Sequence, residues 1–184
     1  IAFAVGAGRA ILADDMGLGK TIQGIGVAAL LEREAGIRRV LVICPASLKA
    51  QWRSEIDRFS DFSCQLVLGT AAERAALYDS QSFFTICNYE QILRDHPTVE
   101  RIPWDLIILD ELFSGLSLAE VASIVPIIEK LRLEGKTIIM IEHRLKELFR
   151  IADRVMVLNY GEKIAEGKAA EVMESEVVKK AYLG

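Results

Sequence analysis

A chain of 184 residues, 52% hydrophobic and 26% charged, can bury the core of one α/β domain but not two comfortable ones. Its formal charge of −4 gives no general pull toward DNA or acidic lipid. No apolar run approaches the ~20 residues that span a bilayer, and no signal peptide is visible. The first residue is Ile1, so we expect a trimmed N-terminus, and a cytoplasmic location. Cys44, Cys64 and Cys87 lack metal-ligand spacing and are expected as reduced thiols, Cys44 and Cys87 within buried strands.

The predicted elements alternate between strand and helix, the pattern of a mostly parallel sheet covered on both faces. "AILAD" is a short strand, and "KTIQGIGVAALLERE" a helix with apolar residues at helical spacing. "RRVLVICP" is the second strand, stopped by Pro45, and "SLKAQWRSEIDRF" an amphipathic helix capped by Ser47. "CQLVLG" and "FFTICNY" are strands around the helix "TAAERAALYD"; His96, in "RDHPT", is expected in a loop. "DLIILDE" is a strand buried on both faces, followed by the helix "SLAEVASIVPIIEKLRLEG", closed by Gly135 and kinked at Pro126. "KTIIMIEH" as strand, "RLKELFRIA" as helix, "DRVMVLNYGEKIAEG" as a strand running into a hairpin, and a helical tail complete the chain.

"DDMGLGKT", residues 14–21, follows a strand and opens a helix, the setting a phosphate-binding loop requires. Gly17, Leu18 and Gly19 would turn backbone N–H groups onto phosphate oxygens, aided by the helix N-terminus. Lys20 would reach the β- and γ-phosphates of ATP, and the Thr21 hydroxyl would ligate Mg²⁺. Asp14 stands where the first glycine of the G-x-x-x-x-G-K-T form belongs. Asp110 and Glu111 are the expected complement: Asp110 to hold Mg²⁺ through its water shell, Glu111 to orient or deprotonate the attacking water. His143, at the end of another strand, is a candidate γ-phosphate contact and the third catalytic candidate after Glu111 and Lys20. Lys49, Trp52 and Arg53 could meet a nucleic-acid backbone, or could simply form the wet face of an amphipathic helix.

Composition changes abruptly at the paired acids. Through Asp110 the chain holds eight Asp, with nine Arg to two Lys; from Glu111 onward it holds one Asp, eleven Glu, and seven Lys to four Arg. All three cysteines and both tryptophans precede the change.

On "ILADDMGLGKTIQ", "RRVLVICPASLKAQWRSEIDRF", "ICNYEQILRD" and "WDLIILDE", residues 1–111 resemble the first RecA-like lobe of Swi/Snf-type DNA-dependent ATPases of helicase superfamily 2. The resemblance accounts for the acid at position 14. On "ILDELFSGLS", "TIIMIEHRLKELFRIADRVMVLNYGEKIAEG" and "VVKKAYLG", residues from about 108 to 184 resemble the end of an ATP-binding cassette of the branched-chain amino acid transporter type. Leu112 departs from the cassette's proline, no signature or glutamine-loop stretch precedes "LIILDE", and the Swi/Snf side lacks its second lobe with the arginine fingers. The two resemblances together imply one three-layer P-loop NTPase domain over 1–184. Its helicase-like half would be 1–110 and its cassette-like half 111–184, joined by design at a shared metal-binding strand. The implied function is ATP–Mg²⁺ binding, or at least phosphate binding, with slow or no hydrolysis and no DNA or membrane partner. The alternatives are a folding scaffold and a fragment of a DNA-dependent translocase.

Overall fold

In a computed structural model of the protein, residues 9–13, 19–113, 116–142, 151–159 and 162–183 are described. The strands are β1 (Arg9–Ala13), β2 (Val40–Cys44), β3 (Cys64–Leu66), β4 (Phe84–Asn88), β5 (Leu106–Asp110), β6 (Thr137–Ile141), β7 (Arg154–Asn159) and β8 (Glu162–Lys168). They form one sheet in the order β3-β4-β2-β5-β6-β1-β7-β8, parallel throughout except for the β7–β8 hairpin. β6, the strand ahead of His143, lies between β1 and β5, and β7 flanks β1 on its other side. Strands from both compositional regions therefore share one hydrogen-bonded sheet.

The continuous apolar runs explain which strands are central. Every residue of β2 and β5 is buried, so both of their faces must be covered. On one face, α1 (Lys20–Ala35) and α2 (Lys49–Phe59) close over Val40, Val42, Ile108, Ile139 and Ile141. On the other, α3 (Ala71–Tyr78), α4 (Tyr89–Val99) and α5 (Leu118–Leu133) pack with Leu41, Ile43, Ile107, Leu109 and Met140. β8 is the polar outer edge, with Glu162 and Lys163 exposed, which discourages pairing with another sheet. The chain ends in short helical segments whose Ala169, Val172 and Val178 join the second core.

Local capping sets several helix starts. Thr70 with Glu73, Asn88 with Gln91 and Ser117 with Glu120 each form a reciprocal capping box. Gly36 and Gly135 take the left-handed conformation just beyond α1 and α5. Two local expectations are corrected. Ser47 does not cap α2: it sits in a 3₁₀ turn, Ala46–Leu48, closed by the Leu48 N–H on the Pro45 carbonyl at 2.9 Å, and α2 starts only at Lys49. His96 is not in a loop but in the last turn of α4, which the Asn88–Gln91 box launches directly from β4. Pro97 cannot donate to the Leu93 carbonyl, and His96 Nδ1 stands 3.4 Å from that oxygen. The helix expected over 144–152 falls almost wholly outside the described residues.

Candidate functional site

The start of α1, the end of β5 and the Gln51–Glu55 side of α2 meet in a cleft of about 440 Å³. Gly19 precedes α1 with φ 76°, a left-handed backbone suited to glycine, and its carbonyl accepts the Gln23 N–H at 3.1 Å. Lys20 and Thr21 occupy the first turn and are 9% and 8% exposed, although both line the cleft. Lys20 Nζ is buried and has no hydrogen-bond partner among the described residues. No acidic residue stands in the first turn of α1 to offset the positive end of its dipole. Gly17, Leu18, Asp14 and His143 lie outside the described residues.

Asp110 ends β5 across the cleft and is 4% exposed. Its Oδ2 accepts the indole N–H of Trp52 at 2.8 Å, and its main-chain oxygen accepts the Tyr89 hydroxyl at 2.8 Å. Burial pushes the carboxyl up to about 6; the Trp52 hydrogen bond opposes this, the Glu111 charge adds to it, and the Lys20 charge opposes it. Glu111 has φ 51°, a left-handed backbone unusual for a side chain of its size, and its N–H donates to the Ile141 carbonyl at 3.0 Å. That geometry places Glu111 on the cleft wall beside Asp110.

Lys20, Thr21, Asp110 and Glu111 are therefore brought together as the sequence predicts. The donor set suits a nucleotide-borne ion, since the Asp110 carboxylate and the Thr21 hydroxyl share the cleft with an ammonium that has no hydrogen-bond partner among the described residues. Among the described residues no cluster of three or more His, Cys, Asp or Glu could hold an ion alone. Phosphate oxygens and water would have to complete the coordination of Mg²⁺.

The nucleic-acid candidates on α2 need correction. Trp52 is fully buried, and Lys49, 7% exposed, donates from Nζ to the Val67 carbonyl at 2.6 Å and to Gln91 Oε1 at 3.1 Å. Neither forms a wet face nor reaches a nucleic-acid backbone. Lys49, Trp52 and Ile56 recur at helical spacing and point into the protein, a stripe the amphipathic pattern already contained. Only Arg53 of the three is outward, paired with Asp57 at 2.8 Å. Sequence reasoning also missed Gln51 and Glu55 on the cleft wall, joined by a 2.8 Å hydrogen bond from Gln51 Nε2 to Glu55 Oε1.

Known proteins match the chain in two places. The SNF2-related domain matches residues 6–113, and the Branched-chain amino acid ATP-binding cassette transporter family matches residues 162–184. Chromatin structure-remodeling complex subunit snf21 of Schizosaccharomyces pombe is 37% identical over 107 residues, covering 55% of this chain and 9% of its own length. Chromatin-remodeling ATPase INO80 of Drosophila melanogaster is 36% identical over 114 residues, covering 55% and 7%. The chain thus spans less than a tenth of either relative. Among solved structures, the Sulfolobus solfataricus SWI2/SNF2 ATPase core in complex with dsDNA superposes with TM-score 0.57 at 25% identity, over 76% of this chain and 28% of that one. The Pyrococcus furiosus Hef helicase domain gives TM-score 0.70 at 14% identity, over 88% and 37%, a likeness of fold alone.

Proposed function

We propose a function on one premise, that this chain belongs to the SNF2-related domain family: it is the first nucleotide-binding lobe of a DNA-dependent ATPase. ATP would bind with Mg²⁺ in the cleft between α1 and β5. The observation that carries this is Lys20 Nζ, buried at the cleft without a partner among the described residues. A buried ammonium without a hydrogen-bond partner is costly, and a phosphate group is the ligand that would relieve it. Thr21 and Asp110 would hold the ion, and Glu111 would orient water. Turnover by this segment alone would be slow, because an arginine finger supplied from outside such a lobe is worth about 10³ to 10⁵ in rate.

The cassette-like segment would complete the sheet, so that residues 1–184 act as one domain. An engineered join near residue 111 is in keeping with the compositional change there and with the two family matches. The expectation against DNA gains nothing from the relatives, one of which is a complex with dsDNA, and the cytoplasmic placement gains nothing from remodelling ATPases. Titration with a fluorescent ATP analogue tests the site. Lys20→Ala should abolish binding, and equal binding by parent and variant would refute the assignment. Phosphate release with and without duplex DNA tests the DNA dependence.

A further inference from the structure

Asp110 is gripped from both sides of the sheet. Tyr89, on the α4 face, fixes its main-chain oxygen, and Trp52, on the α2 face, fixes Oδ2 of its side chain. We propose that Trp52 is a positioning residue for the metal, its indole N–H holding the Asp110 carboxylate in the orientation that meets Mg²⁺ on a bound nucleotide. This rests on the nucleotide-site reading above.

Three features support more than packing. Indole nitrogen is a donor only, so it can engage one carboxylate oxygen and cannot compete for the cation. The ring is fully buried and tightly packed: a Cβ on Gly24 would stand 2.9 Å from Trp52 Cη2 and 3.2 Å from Ile141 Cδ1, so α1 approaches the indole more closely than a larger residue at position 24 would allow. The hydrogen bond is fully buried, where a carboxylate left without it would be costly, whereas a phenyl ring would fill much of the same space without satisfying the acid. The restraint comes from helix packing, and it acts on Oδ2 of the carboxylate that would meet the ion.

The test compares parent and Trp52→Phe for binding of a fluorescent ATP analogue, first in EDTA and then across a Mg²⁺ titration. The expected result is unchanged affinity in EDTA and a Mg²⁺ half-saturation raised about 10-fold or more. An unchanged Mg²⁺ half-saturation in the folded variant overturns the proposal alone. Absence of ATP binding by the folded parent overturns the nucleotide site and this proposal with it. If Trp52→Phe does not fold, the indole N–H resonances of the parent decide. Trp104 Nε1 donates to the Val99 carbonyl at 3.0 Å, away from the cleft, and serves as the internal control. Mg²⁺ added to the ATP-loaded chain should shift the Trp52 resonance and spare that of Trp104; a Trp52 signal indifferent to Mg²⁺ overturns the proposal.

Discussion

The backbone N–H of Phe113 donates to Glu142 Oε1 at 2.7 Å, so a fully buried carboxylate just beyond β6 holds the turn that follows the paired acids. The Glu111 N–H on the Ile141 carbonyl adds a second tie two residues earlier. The geometry of the catalytic candidate thus depends on the end of a neighbouring strand.

Removing that acceptor should cost stability. Glu142→Leu leaves the buried Phe113 N–H unpaired and is expected to lower unfolding free energy by about 1–3 kcal/mol. Glu142→Gln keeps an oxygen in place and should recover most of the loss. Urea denaturation of the three proteins measures this, and equal midpoints for Leu and parent would disprove the role.

Glu111 carries a backbone cost in return for its position. The left-handed conformation costs a residue with a Cβ roughly 1–2 kcal/mol, which glycine avoids while losing more chain entropy on folding. Glu111→Gly should therefore be as stable as the parent or up to about 1 kcal/mol more stable, while Glu111→Gln is unchanged. Both should lose whatever phosphate release the parent shows. Denaturation midpoints and steady-state phosphate assays on the same samples check the two halves of this statement.

Asp110 makes stability depend on pH in metal-free protein. Burial raises its folded-state pKa to about 6, above the ordinary carboxylate value, so the folded chain holds a proton that the unfolded chain releases earlier. Its contribution is complete below about pH 4 and is lost as pH rises through about 6. Asp110→Asn should thus be the more stable protein at pH 8 without Mg²⁺, by at most about 3 kcal/mol, with the difference closing near pH 4. Denaturation curves at the two pH values test it; a variant less stable than the parent at pH 8 would reverse the sign.

Thiol chemistry reports on the two cores. Burial pushes Cys87 up to about 12 and Cys64 up to about 11, and burial first, then Cys87 and Asp110, raise Cys44 strongly. Cys44 and Cys87 are buried and Cys64 is only partly so. Native protein at pH 8 should show at most one slowly reacting thiol toward an aromatic disulfide reagent, and urea should expose all three cysteines. Rapid reaction of two thiols in the native state would contradict the packing.

Patterns spanning a few residues are legible in the amino-acid sequence itself. The apolar runs of β2 and β5 announce strands covered on both faces, and Gly19, Lys20 and Thr21 announce the helix that opens at the cleft. The alternation of strand and helix likewise announces the mostly parallel sheet in which β6 lies between β1 and β5. The partners of Asp110 are not legible there: Trp52 stands 58 positions away and Tyr89 stands 21, on helices covering opposite faces of the sheet. Nor is it legible that the acceptor Lys49 meets is the Val67 carbonyl, or that Glu142 reaches Phe113. Periodicity is decided within one or two turns of chain, so sequence alone determines it, whereas the expected Ser47 cap gave way to a 3₁₀ turn ahead of α2. Which side chains meet at Asp110 depends on the order in which crossovers lay strands side by side, and on how closely α1 can approach Trp52 at Gly24, which only the packed sheet and its helices decide.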